Sequence, residues 1–245
     1  MAFRFNPYQP NKMIAPGMFT GRTEELRAIE KILYQTKFEN PQHFLIEGER
    51  GIGKLSLLFL LAGVASGLVP SMEGSHFNFL TVSVDLGGVH SQADIVKTIA
   101  RQLRTVISEE GRLKEKATEI WNFASKFEAF GIKFKGEVTE LSQDDMRDEL
   151  IESIVQFSKR CAGQSDGIVI LIDEADAPSE SAGLGEFVKF FTERLSRRYC
   201  NNVLLGLSGL PSLIAKLGSG LVDHSQKMTV AAMQMADMKV WAQRS

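Results

Sequence analysis

The chain has 245 residues, 44% of them apolar and 24% charged, with a net charge of -2. That length suits one large α/β domain with a small appendage, and the charge excludes a global basic footprint for nucleic acid or an anionic membrane. Two cysteines without CxxC spacing and four scattered histidines give neither a disulfide framework nor a zinc site, which fits a reducing, cytoplasmic compartment.

Residues 1–18 carry Pro7, Pro10, Pro16 and Gly17 and read as an extended arm. They have no apolar core of a secretory signal. Thr23 is a candidate N-cap, with Glu24 and Glu25 in the first turn. Leu26, Ile29, Ile32 and Leu33 then give one apolar helix face. His43-Phe44-Leu45-Ile46-Glu47 is a short apolar strand. It runs into Gly48-Glu49-Arg50-Gly51-Ile52-Gly53-Lys54, and a long apolar helix follows. Strand, Gly-rich loop and helix in this order form a phosphate-binding loop. The glycines let backbone N–H groups converge on phosphate oxygens, the helix N-terminus adds positive charge, and Lys54 reaches the β- and γ-phosphates. An ordinary Gly-rich βα turn is the alternative. One position departs from the motif. Leu55 stands where a Mg²⁺-binding hydroxyl is expected, and Ser56 lies one residue on, about 100° round the helix. Leu55 to Met72 is uncharged over 18 residues. Its Gly and Pro content and its place after the loop argue for a buried helix, not a membrane span.

Phe79 to Leu86 reads as the next strand, and Ser91 as the cap of a helix bearing Ile95, Ile99, Leu103 and Ile107. Residues 111–140 read as an inserted helix and hairpin. The alternation of Ile132 and Phe134 with Lys133 and Lys135 suits a half-buried ribbon, or less well a contact to a partner or single-stranded nucleic acid. Ser142 or Asp144 caps a helix through Val155. Ile168-Val169-Ile170-Leu171-Ile172 is a strand buried on both faces, ended by Asp173 and Glu174. Ligands bind beyond the carboxyl ends of such strands. Asp173 is therefore placed to hold Mg²⁺, and Glu174 to orient or deprotonate water. An N-capping role for Asp173 is the alternative. Phe187, Phe190, Phe191 and Leu195 mark another helix, whose Arg194, Arg197 and Arg198 suit a solvated C-terminal end. Val203 to Ser208 is another buried strand, and Pro211 opens a short helix. This alternation predicts a parallel sheet with right-handed crossovers.

In these blocks the chain resembles the AAA+ and STAND type of P-loop ATPases, near the origin-recognition and archaeal-ATPase branch. Phe19 to Leu26 looks like the family's Phe-x-Gly-Arg-x-x-Glu-Leu motif, which lies near the adenine. Gly48 to Lys54 looks like Walker A, Ile168 to Glu174 like Walker B, and Val203 to Gly209 with Leu210-Pro211 like the sensor-1 strand and its turn. The resemblance implies a three-layer α/β/α sandwich with a mostly parallel five-stranded sheet in the order 5-1-4-3-2, over a core of residues 19–234. It also implies a helical lid, of which residues 235–245 hold only the start.

Carried over by position, Gly21, Arg22 and the whole stretch Gly48, Glu49, Arg50, Gly51, Ile52, Gly53, Lys54, Leu55 and Ser56 contact the nucleotide. Asp173 and Ser56 are the metal candidates. Glu174 polarises water, and Ser208 holds the γ-phosphate or the water. Residues 221–227 contain no arginine finger, and Lys227 is a poorer trans-acting group. The implied activity is ATP binding with slow Mg²⁺-assisted hydrolysis to ADP, switching contacts with other copies or a partner through the nucleotide site. The alternative is a nucleotide-bound scaffold that does not hydrolyse. A small-molecule kinase is less favoured, since no Arg-rich lid sequence follows Glu174. DNA is a conceivable partner that the charge does not indicate.

Overall fold

The computed structural model describes residues 22–109, 142–217 and 226–229. In chain order these form α1 (Thr23–Lys37), β1 (Phe44–Glu47), α2 (Lys54–Ala65), β2 (Phe79–Asp85), α3 (Gln92–Glu109), α4 (Gln143–Arg160), β3 (Gly167–Asp173), a 3-10 turn (Glu180–Ala182), α5 (Leu184–Arg197), β4 (Val203–Gly209), α6 (Leu213–Leu217) and β5 (Gln226–Thr229). The expected arm, the 111–140 insertion and the start of a lid fall outside the described residues.

The body of the sheet is four parallel strands in the order 1-4-3-2. The outer edge of β1 pairs in parallel with β5, which is described over Gln226–Thr229. Side-chain alternation divides two apolar layers between the sheet's faces. Ile168, Ile170 and Ile172 of β3, with Leu205 and Leu207 of β4, pack into the α3–α4–α5 layer. Val169, Leu171 and Leu204 pack with Phe44 and Ile46 into the α1–α2 layer. The central strands are apolar throughout because both faces are covered. Gly206 is required by contact: paired with Phe44 in register, it leaves room for the ring that packs directly over it.

Local signals set the boundaries. Ser142 caps α4, accepting from the Asp145 N–H at 3.1 Å in a capping box. The Ser91 hydroxyl accepts from the Asp94 N–H at 3.2 Å at the start of α3. Thr23 is not a cap. It is the first residue of α1, and Arg22 precedes it in the left-handed conformation with no side-chain cap. The apolar stretch after the loop ends as a helix at Ala65, and no described helix is long and apolar enough to cross a membrane.

Two buried polar clusters tie elements together, one within each layer. The Glu30 carboxylate on α1 accepts from the Met72 N–H at 2.7 Å and the Ser71 hydroxyl at 2.9 Å, which fixes the chain after α2. Arg147 on α4 bonds Asp144 at 2.7 Å, with Gln92 and Glu186 each at 3.2 Å, and lies 3.8 Å over the Phe190 ring. This joins α3, α4 and α5. Arg194 and Arg198 pair with Asp148 and Glu152 across the surface, so those arginines serve the α4–α5 seam, at little gain in stability.

His43 extends the β1–β4 ladder with its ring: Nδ1 accepts from the Leu205 N–H at 3.2 Å. The bond needs a neutral imidazole, and burial holds its pKa down at about 4. The unfolded chain binds this proton near pH 6.5. The contribution to stability is therefore complete above pH 6.5 and is lost as pH falls toward 4. Its slope is at most about 1.4 kcal/mol per pH unit. In urea titrations between pH 7 and 4, His43→Gln is expected to flatten that slope. An unchanged slope would remove His43 as its source.

Candidate functional site

The candidate residues gather at the carboxyl ends of the strands. The β1–β4 register pairs Ile46 with Ser208. The β3–β4 register pairs Ile172 with Leu207, so Asp173 lies one residue beyond that pair, level with Ser208. The β2–β3 register pairs Asp85 with Asp173. Alternation puts Asp173 on the same face as Val169 and Leu171, and Ser208 on the same face as Leu204. Both therefore belong to the α1–α2 side, where the Gly-rich loop enters α2. Hydrogen bonds carry the register past the strand ends. Gly48 N–H reaches the Gly209 carbonyl at 3.3 Å, and Ala175 N–H reaches the Ser208 carbonyl at 2.9 Å.

Gly51 and Gly53 take φ of 78° and 98°, in the left-handed region that favours glycine. Gly53 is the residue from which α2 starts. No acidic residue lies in the first turn of α2, so its N-terminal N–H groups keep their positive end. The Lys54 ammonium folds back onto the loop, donating to the carbonyls of Gly48 at 2.7 Å and Glu49 at 2.9 Å. Glu49 and Arg50 are exposed at the loop's tip. Leu55 is 50% exposed, whereas Ser56 is turned inward and 8% exposed. Arg22 contacts the loop at the Ile52 carbonyl. Gly21 lies outside the described residues.

Asp173 is the last residue of β3, and no α-helix starts from it: a turn follows, and α5 begins only after Gly183. The N-cap alternative for Asp173 therefore falls. Glu174 is left-handed, φ 49°. Its carboxylate lies beside Gly87, just past β2; a Cβ added there would stand 3.0 Å from Glu174 Oε2 and 3.1 Å from Asp85 Oδ1. Ser208 is fully buried, and its hydroxyl has no hydrogen-bond partner among the described residues. An orphaned hydroxyl of this kind has an unmet demand for a partner.

Sequence reasoning passed over Asp85 and Asp176. Asp85 brings a third carboxylate to the strand ends, and an acidic residue closing a β-rich run was the available signal. Asp176 accepts from the Leu210 N–H at 2.9 Å, and the Lys216 ammonium donates to the carbonyls of Asp176 and Pro178. The turn after β3 is thereby fastened to the turn after β4. That fastening depends on three dimensions and has no local signature.

The donor set fits a phosphate chain: a loop with two left-handed glycines, a helix N-terminus, a lysine and an unpaired buried hydroxyl. A divalent ion fits only in part. Asp173 supplies an oxygen at the strand end and position 55 supplies none. Among the described residues no cluster of three or more His, Cys, Asp or Glu is arranged to hold a metal.

No protein-family model matches the chain. A MucR-family transcriptional regulatory protein of Sinorhizobium fredii is 66% identical over 41 residues, which is 17% of this chain and 23% of that protein. Among solved structures, the chain is similar to the ORC1 protein of Aeropyrum pernix, solved in complex with DNA. The TM-score is 0.54 at 16% identity, over 92% of this chain and 50% of that one. The ORC2 protein of the same organism, solved as ADPNP–ADP complexes, gives 0.53 at 13% identity, over 96% and 54%. A Walker-type ATPase of Pyrococcus abyssi gives 0.51 at 19% identity, over 92% and 57%. The chain thus spans about half the length of the structures it matches. Strand order, loop position and these likenesses agree: the chain has the parallel α/β fold of these structures.

Proposed function

We propose that this chain is an ATP-binding module that hydrolyses ATP slowly to ADP and phosphate. One observation carries the reading. The loop between β1 and α2 holds its glycines left-handed and its lysine on its own carbonyls, bonds that Lys54 can exchange for phosphate oxygens. The triphosphate lies along Gly48 to Lys54, with backbone N–H groups and the α2 N-terminus around it. Ser208 supplies its unpaired hydroxyl to the γ-phosphate or to the attacking water. Glu174 takes the proton of that water as it attacks the γ-phosphorus, and ADP leaves. Asp173 would hold the Mg²⁺ that accompanies the nucleotide, and the ion would supply neutralisation of charge on the phosphates.

Nucleotide state then changes contacts between this module and another copy or a partner protein at the site. The net charge of -2 gives no support to DNA as that partner. Leu55 favours a second reading, a nucleotide-bound scaffold that does not turn over, because it leaves the first turn of α2 without a metal-binding hydroxyl. Titration of Mg-ATP by calorimetry tests the proposal. Saturable binding in the wild type and its loss in Lys54→Ala, by roughly a hundredfold or more, are the expected results. Equal affinity in the two proteins would reject the site.

A further inference from the structure

Arg22 sits before α1 with φ 61° and ψ 27°, a left-handed conformation that is unfavourable for a non-glycine residue. A local cap does not account for it, because no side chain caps the helix there. The Arg22 side chain is 11% exposed and pairs with Glu25 at 3.1 Å. Its Nη2 donates to the Ile52 carbonyl at 2.9 Å, 30 residues along the chain and inside the Gly-rich loop. The Arg22 carbonyl in turn accepts from Leu26 N–H at 2.9 Å, which fixes the backbone that aims the side chain.

The consequence follows from peptide geometry. Among the described residues no peptide bond is cis, and in a trans peptide the C=O and the next N–H point in opposite directions. Holding the Ile52 carbonyl toward Arg22 turns the Gly53 N–H away from it. Gly53 is left-handed and immediately precedes Lys54 and α2. Its N–H is therefore oriented by a guanidinium outside the loop.

We propose that Arg22 is a positioning residue for the phosphate loop. It sets the Gly53 N–H for a phosphate oxygen, and it does so without touching the adenosine part of the ligand. The inference rests on the nucleotide reading above. It assigns to the α1 segment a hold on the phosphates, whereas the sequence resemblance places that segment near the adenine.

Binding of Mg-ATP and of inorganic tripolyphosphate, each measured by calorimetry, separates the two roles. Arg22→Gln is expected to weaken both ligands by the same factor, roughly ten- to a hundredfold. Arg22→Lys keeps a charged donor and is expected to recover part of that loss for both. Glu25→Gln removes the ion pair while leaving the Ile52 bond, and is expected to change either affinity by no more than about twofold. If Arg22→Gln fails to fold, Arg22→Lys is compared with wild type on the same two ligands. Weakening of ATP alone overturns the proposal and makes Arg22 an adenosine contact. Unchanged binding of both ligands by folded Arg22→Gln, with loss in Lys54→Ala, overturns this inference and leaves the nucleotide site standing. A wild type that binds neither ligand overturns both.

Discussion

Gly167→Ala is expected to destabilise the fold by roughly 3–5 kcal/mol. Gly167 opens β3 with φ 142°, a conformation open to glycine alone. A methyl there would be driven into the carbonyl oxygen of Asn202. That oxygen cannot retreat freely, because it accepts the Ile168 N–H at 2.9 Å and so begins the β3–β4 pairing. Gly167 is also held on both sides by the Ser165 hydroxyl, which donates to its carbonyl at 2.9 Å and accepts from its N–H at 3.2 Å. Relief must therefore break the start of the strand that delivers Asp173. Thermal unfolding checks the expectation: Tm should fall by roughly 6–20 °C for a domain of this size. Gly163→Ala is the control. It too has a positive φ, 80°, but its added methyl meets nothing within 4 Å, so about 1 kcal/mol is expected. Similar losses in the two variants would show that strain, not the Asn202 contact, sets the cost.

Leu55→Thr is expected to raise Mg²⁺-dependent ATP turnover by on the order of ten- to a hundredfold. Leu55 is the second residue of α2, directly after Lys54, and is half exposed. The substitution therefore costs the core little. It returns a hydroxyl to the first turn of the helix, where the site has a carboxylate at Asp173 but no loop oxygen. Steady-state phosphate release, with and without Mg²⁺, is the measurement. A rise that needs Mg²⁺ supports a site otherwise equipped for hydrolysis. Turnover that stays at background, with ATP still bound, favours the scaffold. Ser56 does not interfere with the test, since it is buried on the inner side of the same helix.

Much of this domain is legible in the chain itself. The β-rich run Ile168 to Ile172 reads as a doubly covered strand because burial on both faces removes the need for polar residues. The glycines at 51 and 53 mark a loop because left-handed backbone favours them. Ser142 reads as a cap because its hydroxyl can satisfy a free N–H. Thr23 misleads for the same reason: it has the right chemistry, but the backbone turns one residue earlier so that Arg22 can reach the loop. Ser56, offered as a metal ligand, faces inward because the helix puts successive residues about 100° apart and Leu55 takes the exposed position.

The sequence by itself determined the elements, their order and the chemistry at the strand ends, since these follow from periodicity, turn geometry and short motifs. Tertiary structure alone decided which ends became neighbours. The strand order 1-4-3-2 places Ser208 between the phosphate loop and Asp173, and register brings Asp85 to Asp173. Only packing buries the Ser208 hydroxyl with no partner among the described residues, and only the α1–loop contact gives Arg22 its hold on Ile52. Each joins residues distant along the chain, and closeness in space after folding leaves no periodic trace in sequence.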